Sequence, residues 1–164
     1  MGMSIFLAPV SAAKLEALRR DPDAIEAFLY PDDDDEPEGG IDVDKAWHGL
    51  HYLLTGTSDG GEPPLSLAIL GGEEFGEDLG MGPARFLTPE QVREVAAALE
   101  AVSEDELRQR YDPQDMQDKQ IYPDIIWVRD GDEALDYLMA NFVPLAEFYT
   151  DAAARGDAVI LSLG

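Results

Sequence analysis

No cysteine occurs among the 164 residues. That one absence removes disulfides, thiolate-ligated zinc and cysteine nucleophiles together. Nothing in the chain therefore asks for an oxidising compartment. Histidine is nearly as scarce, with two copies, and basic residues number 11 against 35 acidic ones, a formal net charge of −24. Affinity for nucleic acid rests largely on Lys and Arg that neutralise phosphates, so direct nucleic-acid binding is not expected. Anionic membrane surfaces are disfavoured for the same reason. Long apolar runs are missing too, and nothing approaches the ~18 residues of a spanning helix. The start, MGMSIFLAPVSAAK, has neither the positive region nor the long apolar run of a signal peptide. Phe6 stands where a myristoylation pattern needs Ser or Thr. Together these absences read as a soluble, cytoplasmic protein with no membrane attachment.

The familiar catalytic loops are also absent. There is no phosphate-binding GxxxxGK[ST], no GxGxxG after a strand, and no GxSxG elbow. AILGGEEFG places glycines after an apolar run, but acidic residues and a Pro-Gly loop follow instead of a helix start, so no phosphate cradle forms. The acidic run from Asp32 imitates a calcium loop and fails on its own spacing. Its sixth residue is Pro37 where glycine is needed, and its twelfth is Val43 where glutamate is needed. Ser58 and Ser66 lack the surroundings of a nucleophile.

What is present suits one compact domain over residues 1–164. The chain is 45% hydrophobic, and a chain of this size buries roughly 70% of its unfolded surface. Residues 3–8 read as a strand stopped by Pro9. Ser11 opens a helix that the Asp21-Pro22 step divides in two. Residues 30–40, YPDDDDEPEGG, form an exposed acidic loop. Asp42 or Asp44 caps a helix to about Leu54, which Gly56 stops. LSLAIL, 65–70, reads as a buried strand, and the five-glycine stretch 71–83 as a loop. Thr88-Pro89-Glu90-Gln91 is a capping box with proline in the first turn, and Val92, Val95, Ala96 and Leu99 form the stripe behind it. Ser103 with Glu106 is a second box. IYPDIIWV, 121–128, reads as a short strand. A last helix starts near Asp132, carries Pro144 as a kink and ends at Gly156 before a buried strand, 158–163. Strands interleaved with helices argue for a layered α/β or α+β domain.

Both histidines lie in DKAWHGLHYLLTG, 44–56. Val43, Trp47, Leu50 and Leu54 share one helical face, the core stripe. Asp44, His48, His51 and Thr55 share an adjoining edge at the same offsets. The functional reading of that edge is a proton-transfer pair beside Trp47, with Asp44 fixing the tautomer of His48. The plainer reading pairs His48 with Asp44 on the surface and leaves His51 half-buried on a backbone carbonyl. H-x-x-H is not the H-E-x-x-H of a zinc protease, and catalytic zinc takes three protein ligands, so neither metal nor other cofactor is expected. Of the aromatics, Tyr122, Trp127, Tyr137 and Tyr149 read as core, although Tyr122 between Ile121 and Pro123 also suits a pocket mouth.

Several of these pieces together resemble one family. MGM, DVDKAWHGLHYLLTG, PLSLAILGG, GPARFLTPEQV, QIYPDI-W and the ending NFVPLAEFYTDAAARGDAVILSL look like the YfbM family of bacterial proteins, across nearly the whole chain. The histidine helix with its Leu-Thr-Gly is the most specific of them. The resemblance implies a single three-layer α/β/α sandwich with a small mixed sheet, for which α+β is the alternative description. It marks residues 31–40 as an insertion and favours His51 over His48. It carries no reaction, cofactor or catalytic residue to transfer, because the family is a domain of unknown function.

The charge itself has two readings. One is solubility, or a salty or acid-tolerant cytosol; the other is a surface made for a basic partner. Two functional expectations follow. The first is a non-enzymatic binding or regulatory protein, immunity-like or inhibitory, that meets a basic protein partner. The second is a small-molecule binder or enzyme with a pocket beside Trp47, His51 and Tyr122. Oligomeric state leaves no mark on the sequence beyond an apolar face of the last helix.

Overall fold

The computed structural model describes residues 3–31 and 39–164. Most of the acidic loop, 32–38, lies outside the described residues. Strand β1, Ile5–Val10, is followed by helices α1, Ala12–Arg20, and α2, Ala24–Leu29. Ser11 caps α1 by accepting from the Lys14 amide, and the chain breaks between the helices at Asp21-Pro22, as the sequence indicates. After β2, Ile41–Asp42, a single 3-10 turn at Asp44–Ala46 leads into α3, Trp47–Thr55. Strands β3, Glu73–Asp78, and β4, Pro83–Leu87, form a hairpin. Helices α4, Pro89–Ala101, α5, Glu104–Arg110, α6, Pro113–Asp118, α7, Ile126–Asp130, and α8, Asp132–Arg155, precede the last strand β5, Ala158–Leu163.

The five strands form one sheet in the order β2-β1-β5-β4-β3, and every pairing is antiparallel. Alternate residues of a strand face opposite sides, and here both sides are covered. Ile5, Leu7, Leu87, Val159 and Leu161 join the main core with α3, α4 and α8. Ala8, Val10, Ala84, Phe86, Ala158 and Ile160 meet Leu15, Leu18, Ile25 and Leu29 of α1 and α2. The result is the three-layer sandwich. Its sheet is antiparallel where a mixed one was expected, so α+β is the better description. β5 sits in the middle and is buried on both faces, as its unbroken apolar run indicates.

Pro9 does not stop β1, which runs through it to Val10 with Pro9 opposite Val159, and three further segments depart from the sequence reading. LSLAIL is a 3-10 turn at Leu65–Leu67, not a strand. Successive bonds from Ser66 N to Glu62 O, Leu67 N to Pro64 O and Ala68 N to Leu65 O use the backbone groups a ladder would need. A short apolar run alone does not separate the two states. Residues 73–78, read as loop, form edge strand β3. It is polar because five of its six residues are exposed; Phe75 is the half-buried one, edge-on to Phe86 at 5.0 Å. IYPDIIWV is a turn into α7, in which fully buried Trp127 donates from Nε1 to Ile121 O at 2.8 Å. Helix α6 escaped the sequence reading although Asp112-Pro113 is a plain start signal. Asp112 caps it by accepting from the Asp115 amide. Of the two capping boxes, Thr88 with Gln91 is complete in both directions, whereas at Ser103 the serine accepts from Glu106 N. The last helix continues through Pro144 to Arg155 and ends at Gly156.

Candidate functional site

The histidine helix packs against α8, α5 and the Leu65–Leu67 turn. A Cβ on Gly49 would stand 2.7 Å from a Leu138 methyl and 2.8 Å from the Trp127 ring, so only glycine lets α3 approach this closely. Val43, Trp47, Leu50 and Leu54 are buried, which makes the expected core stripe real. Gly56 ends the helix in the left-handed region at φ 78°. Thr55 reinforces that end by donating to His51 O at 2.8 Å and accepting from Thr57 N at 3.2 Å.

Asp44 leaves the predicted edge. It precedes α3, inside the 3-10 turn, with φ 56°. Asp42 accepts from its amide at 2.7 Å, and its own carboxylate accepts from the Tyr137 hydroxyl at 2.8 Å. The neighbouring carboxylate holds the Tyr137 hydroxyl pKa well above the ordinary tyrosine value, after burial as the first cause. Neither aspartate caps α3, whose N-cap is Ala46 with no side-chain bond. The Asp44–His48 pair is therefore replaced by an Asp44–Tyr137 pair, because a left-handed residue at 44 breaks the helical phase that would have aligned them.

His48 is held by backbone on both nitrogens. Its Nδ1 accepts from the Tyr122 amide at 2.8 Å, which places the proton on Nε2, and Nε2–H donates to Ser58 O at 2.8 Å. The ring lies flat on Trp47, centroids 4.8 Å apart and 8° from parallel. Trp47 stacks in turn with Tyr122 at 5.7 Å. The same two aromatics grip the start of β1: Trp47 Nε1 donates to Met3 O at 2.9 Å, and the Tyr122 hydroxyl accepts from Met3 N at 2.9 Å. Burial pushes the His48 pKa below its ordinary value against the opposing pull of the Ser58 carbonyl and Asp59.

His51 is fully enclosed, not half-buried. Nε2 meets Gly60 O at 2.9 Å, and Nδ1 has no partner among the described residues. Its pKa is lowered, first by burial and further by the nearby His48 and Arg85 charges. Both imidazoles thus clasp the loop 57–61 that follows the helix. Among the described residues no group of three or more His, Asp or Glu side chains converges to hold a metal ion.

Of two polar residues near this region, Arg85 went unread, whereas Tyr149 was read as core and is buried. Arg85 projects from β4 to the α3, α4 and α8 face of the sheet, where its guanidinium donates to Ile69 O at 3.3 Å and burial lowers its pKa. The Tyr149 hydroxyl, fully buried, donates to Ala68 O at 2.5 Å. Strand alternation in ARFL places Arg85 on the same side as Leu87, and that was the available signal.

The open space nearest these residues lies on the far side of Tyr122. It is a groove of about 450 Å³ lined by Tyr122, Pro123, Ile125, Ile126, Ala134 and Tyr137, with Lys45, Asp130 and Glu133 as its charged members. Trp47 and His51 do not line it, so this groove is not the pocket beside Trp47, His51 and Tyr122 that the sequence suggested. Of the six residues singled out on the sequence, Trp47, His48 and Tyr122 form one stack. His51 lies buried on the same helix, Thr55 closes that helix, and Asp44 belongs to the groove's Tyr137 wall.

A family model described as a domain of unknown function, DUF1877, matches residues 1–162. Protein YfbM of Escherichia coli strain K12 is 33% identical over 133 residues, which are 76% of this chain and 75% of that protein. The crystal structure of YfbM from Escherichia coli, described there as a protein of unknown function, superposes with a TM-score of 0.79 at 23% identity. It covers 98% of this chain and 99% of the other.

Proposed function

The chain belongs to the DUF1877 family, and from that premise we propose that it is a soluble, cytoplasmic, bacterial binding protein, without catalytic activity, that engages a basic protein partner. The observation that carries this reading is the surplus of exposed, unpaired carboxylate. Among the described residues, ion pairs engage Glu16, Glu73, Asp115, Asp130, Asp136 and Asp157, against 29 described acidic residues, the chain's 35 less the six within 32–38. Such a surface attracts cationic partners over about a Debye length, ~8 Å at physiological ionic strength, and accelerates their encounter. An inhibitory or immunity-like role fits the same chemistry.

The histidine helix supports the non-enzymatic side of the reading. A general base needs a free lone pair within reach of a substrate proton. His48 spends its lone pair on the Tyr122 amide, and His51 is sealed from solvent. No helix among the described residues is long and apolar enough to cross a membrane.

The test is capture of partners from native bacterial lysate on the immobilised protein, beside an unrelated protein of equal net charge. We expect a basic protein to be retained at low salt on this protein alone and released at high salt. Recovery of no basic protein above the control would end the proposal.

A further inference from the structure

We propose that the groove between Tyr122 and Tyr137 is the docking site for a short apolar segment of a partner protein flanked by Lys or Arg. This rests on the binding reading above and names the place and chemistry of contact.

Three observations carry it. The first is an unusual exposure of apolar side chain: Ile125, on the lip of the groove, is 63% exposed, the most of any large hydrophobic residue described. Exposed apolar surface that lines a concavity is a mark of a recognition site. The second is that the walls are already rigid. Tyr122 is fixed by its stack on Trp47, by its amide bond to His48 and by its hydroxyl bond from Met3. Tyr137 is fixed by its bond to Asp44. A partner therefore orders little when it binds, which lowers the entropic cost of association. The third is the sign of the rim. Glu133 lines the groove without an ion pair among the described residues, Asp124 and Asp132 are exposed beside it, and Asp130 is already matched by Arg129 at 2.8 Å. Lys45 is the one cation among the lining residues. The net field is negative, so the fitting partner brings an aliphatic or aromatic anchor with cations on its flanks. Interfaces of this kind put apolar anchors at the centre and charge at the rim. The groove is open to solvent along its length, unlike the clefts that enclose most of a small ligand, and this favours a chain segment lying across it.

The experiment pans a displayed library of random dodecapeptides on the wild-type protein and on Ile125→Asp and Glu133→Lys, two exposed positions, after thermal melts have checked that each variant keeps the fold. We expect enriched peptides to carry large apolar residues next to Lys or Arg and to perturb amide resonances of residues 122–137. Ile125→Asp should weaken them about tenfold or more, and Glu133→Lys severalfold, most at low salt. Enriched peptides that lack cations, that bind Ile125→Asp as tightly as wild type, or that perturb another face would overturn the proposal. So would a library with no binder while small-molecule fragments shift the groove resonances. A basic lysate protein that binds Ile125→Asp undiminished would sink the groove and leave the wider charge-driven reading standing.

Discussion

Tyr122 has two sides, and they differ in the quality that makes a site. On one side stand Trp47, His48 and, deeper, His51, the residues with the richest chemistry in the chain. On the other lies a groove of apolar side chains with scattered charges. The histidine side is filled: both nitrogens of His48 bond backbone, its ring is stacked, and His51 has no exposure. The groove side is open, with Ile125 in solvent and a lined volume of about 450 Å³. Reactive residue types mark a site only when some of their hydrogen-bonding capacity and surface is left unused. In this protein the imidazoles act as clasps that hold the loop 57–61 and the 121–126 turn against α3, and the surface they support is the one left free.

The comparison predicts opposite responses to mutation. Trp47→Ala removes the middle of the aromatic stack and a bond to Met3. It should cost about 3–5 kcal/mol in chemical denaturation, as large aromatic-to-alanine changes do in cores. Ile125→Ala across the same tyrosine should stay within ~0.5 kcal/mol, the usual range for exposed positions. Equal losses at the two would erase the distinction between the sides.

A smaller effect tests the clasp itself. His48→Leu keeps much of the stacking area but strips the Tyr122 amide and the Ser58 carbonyl of their partners. The expected loss is about 1–3 kcal/mol, the cost of leaving a buried polar group unsatisfied. Hydrogen exchange should also speed up at the Tyr122 amide. An unchanged exchange rate there would show that the His48 bond contributes nothing.

The gentlest probe is pH. Burial holds both imidazole pKa values below the ordinary 6.5. Below that value the unfolded chain binds more protons than the folded one, so stability falls as pH drops through about 6.5 and levels off below the folded pKa values. Above about 6.5 the histidine contribution is complete. Denaturation midpoints measured between about pH 8 and 5 should therefore decline for wild type and decline less for His48→Leu. Asp115 and Asp130, both lowered first by a hydrogen bond from Lys119 and Arg129 respectively, act at still lower pH and do not confuse that window.

How legible was this molecule? The capping signals read true at Ser11, at Thr88 with Gln91, and at Gly56 and Gly156 where helices end, but not at α3, where neither Asp42 nor Asp44 caps. Their physics is local, a side chain bonding an amide three residues away. The errors fall where local pattern is neutral. LSLAIL and IYPDIIWV are apolar enough for either period, and packing against α3 and α8 settled them as turn and helix. Strand β3 looked like a loop because an edge strand with an uncovered face has no need of apolar residues.

The sequence by itself determined the layers, since the unbroken apolar runs of β1 and β5 and the stripes of α3, α4 and α8 call for cover on both faces of the sheet. It determined the sign of the surface and excluded cysteine chemistry altogether. Only the tertiary structure decided the fate of the histidine edge. A left-handed Asp44 moved one carboxylate to Tyr137, and the backbone of the Tyr122 and Ser58 segments, distant or across a loop in sequence, took up the nitrogens of His48. Those are contacts between chain segments, and no helical spacing encodes which segment will arrive.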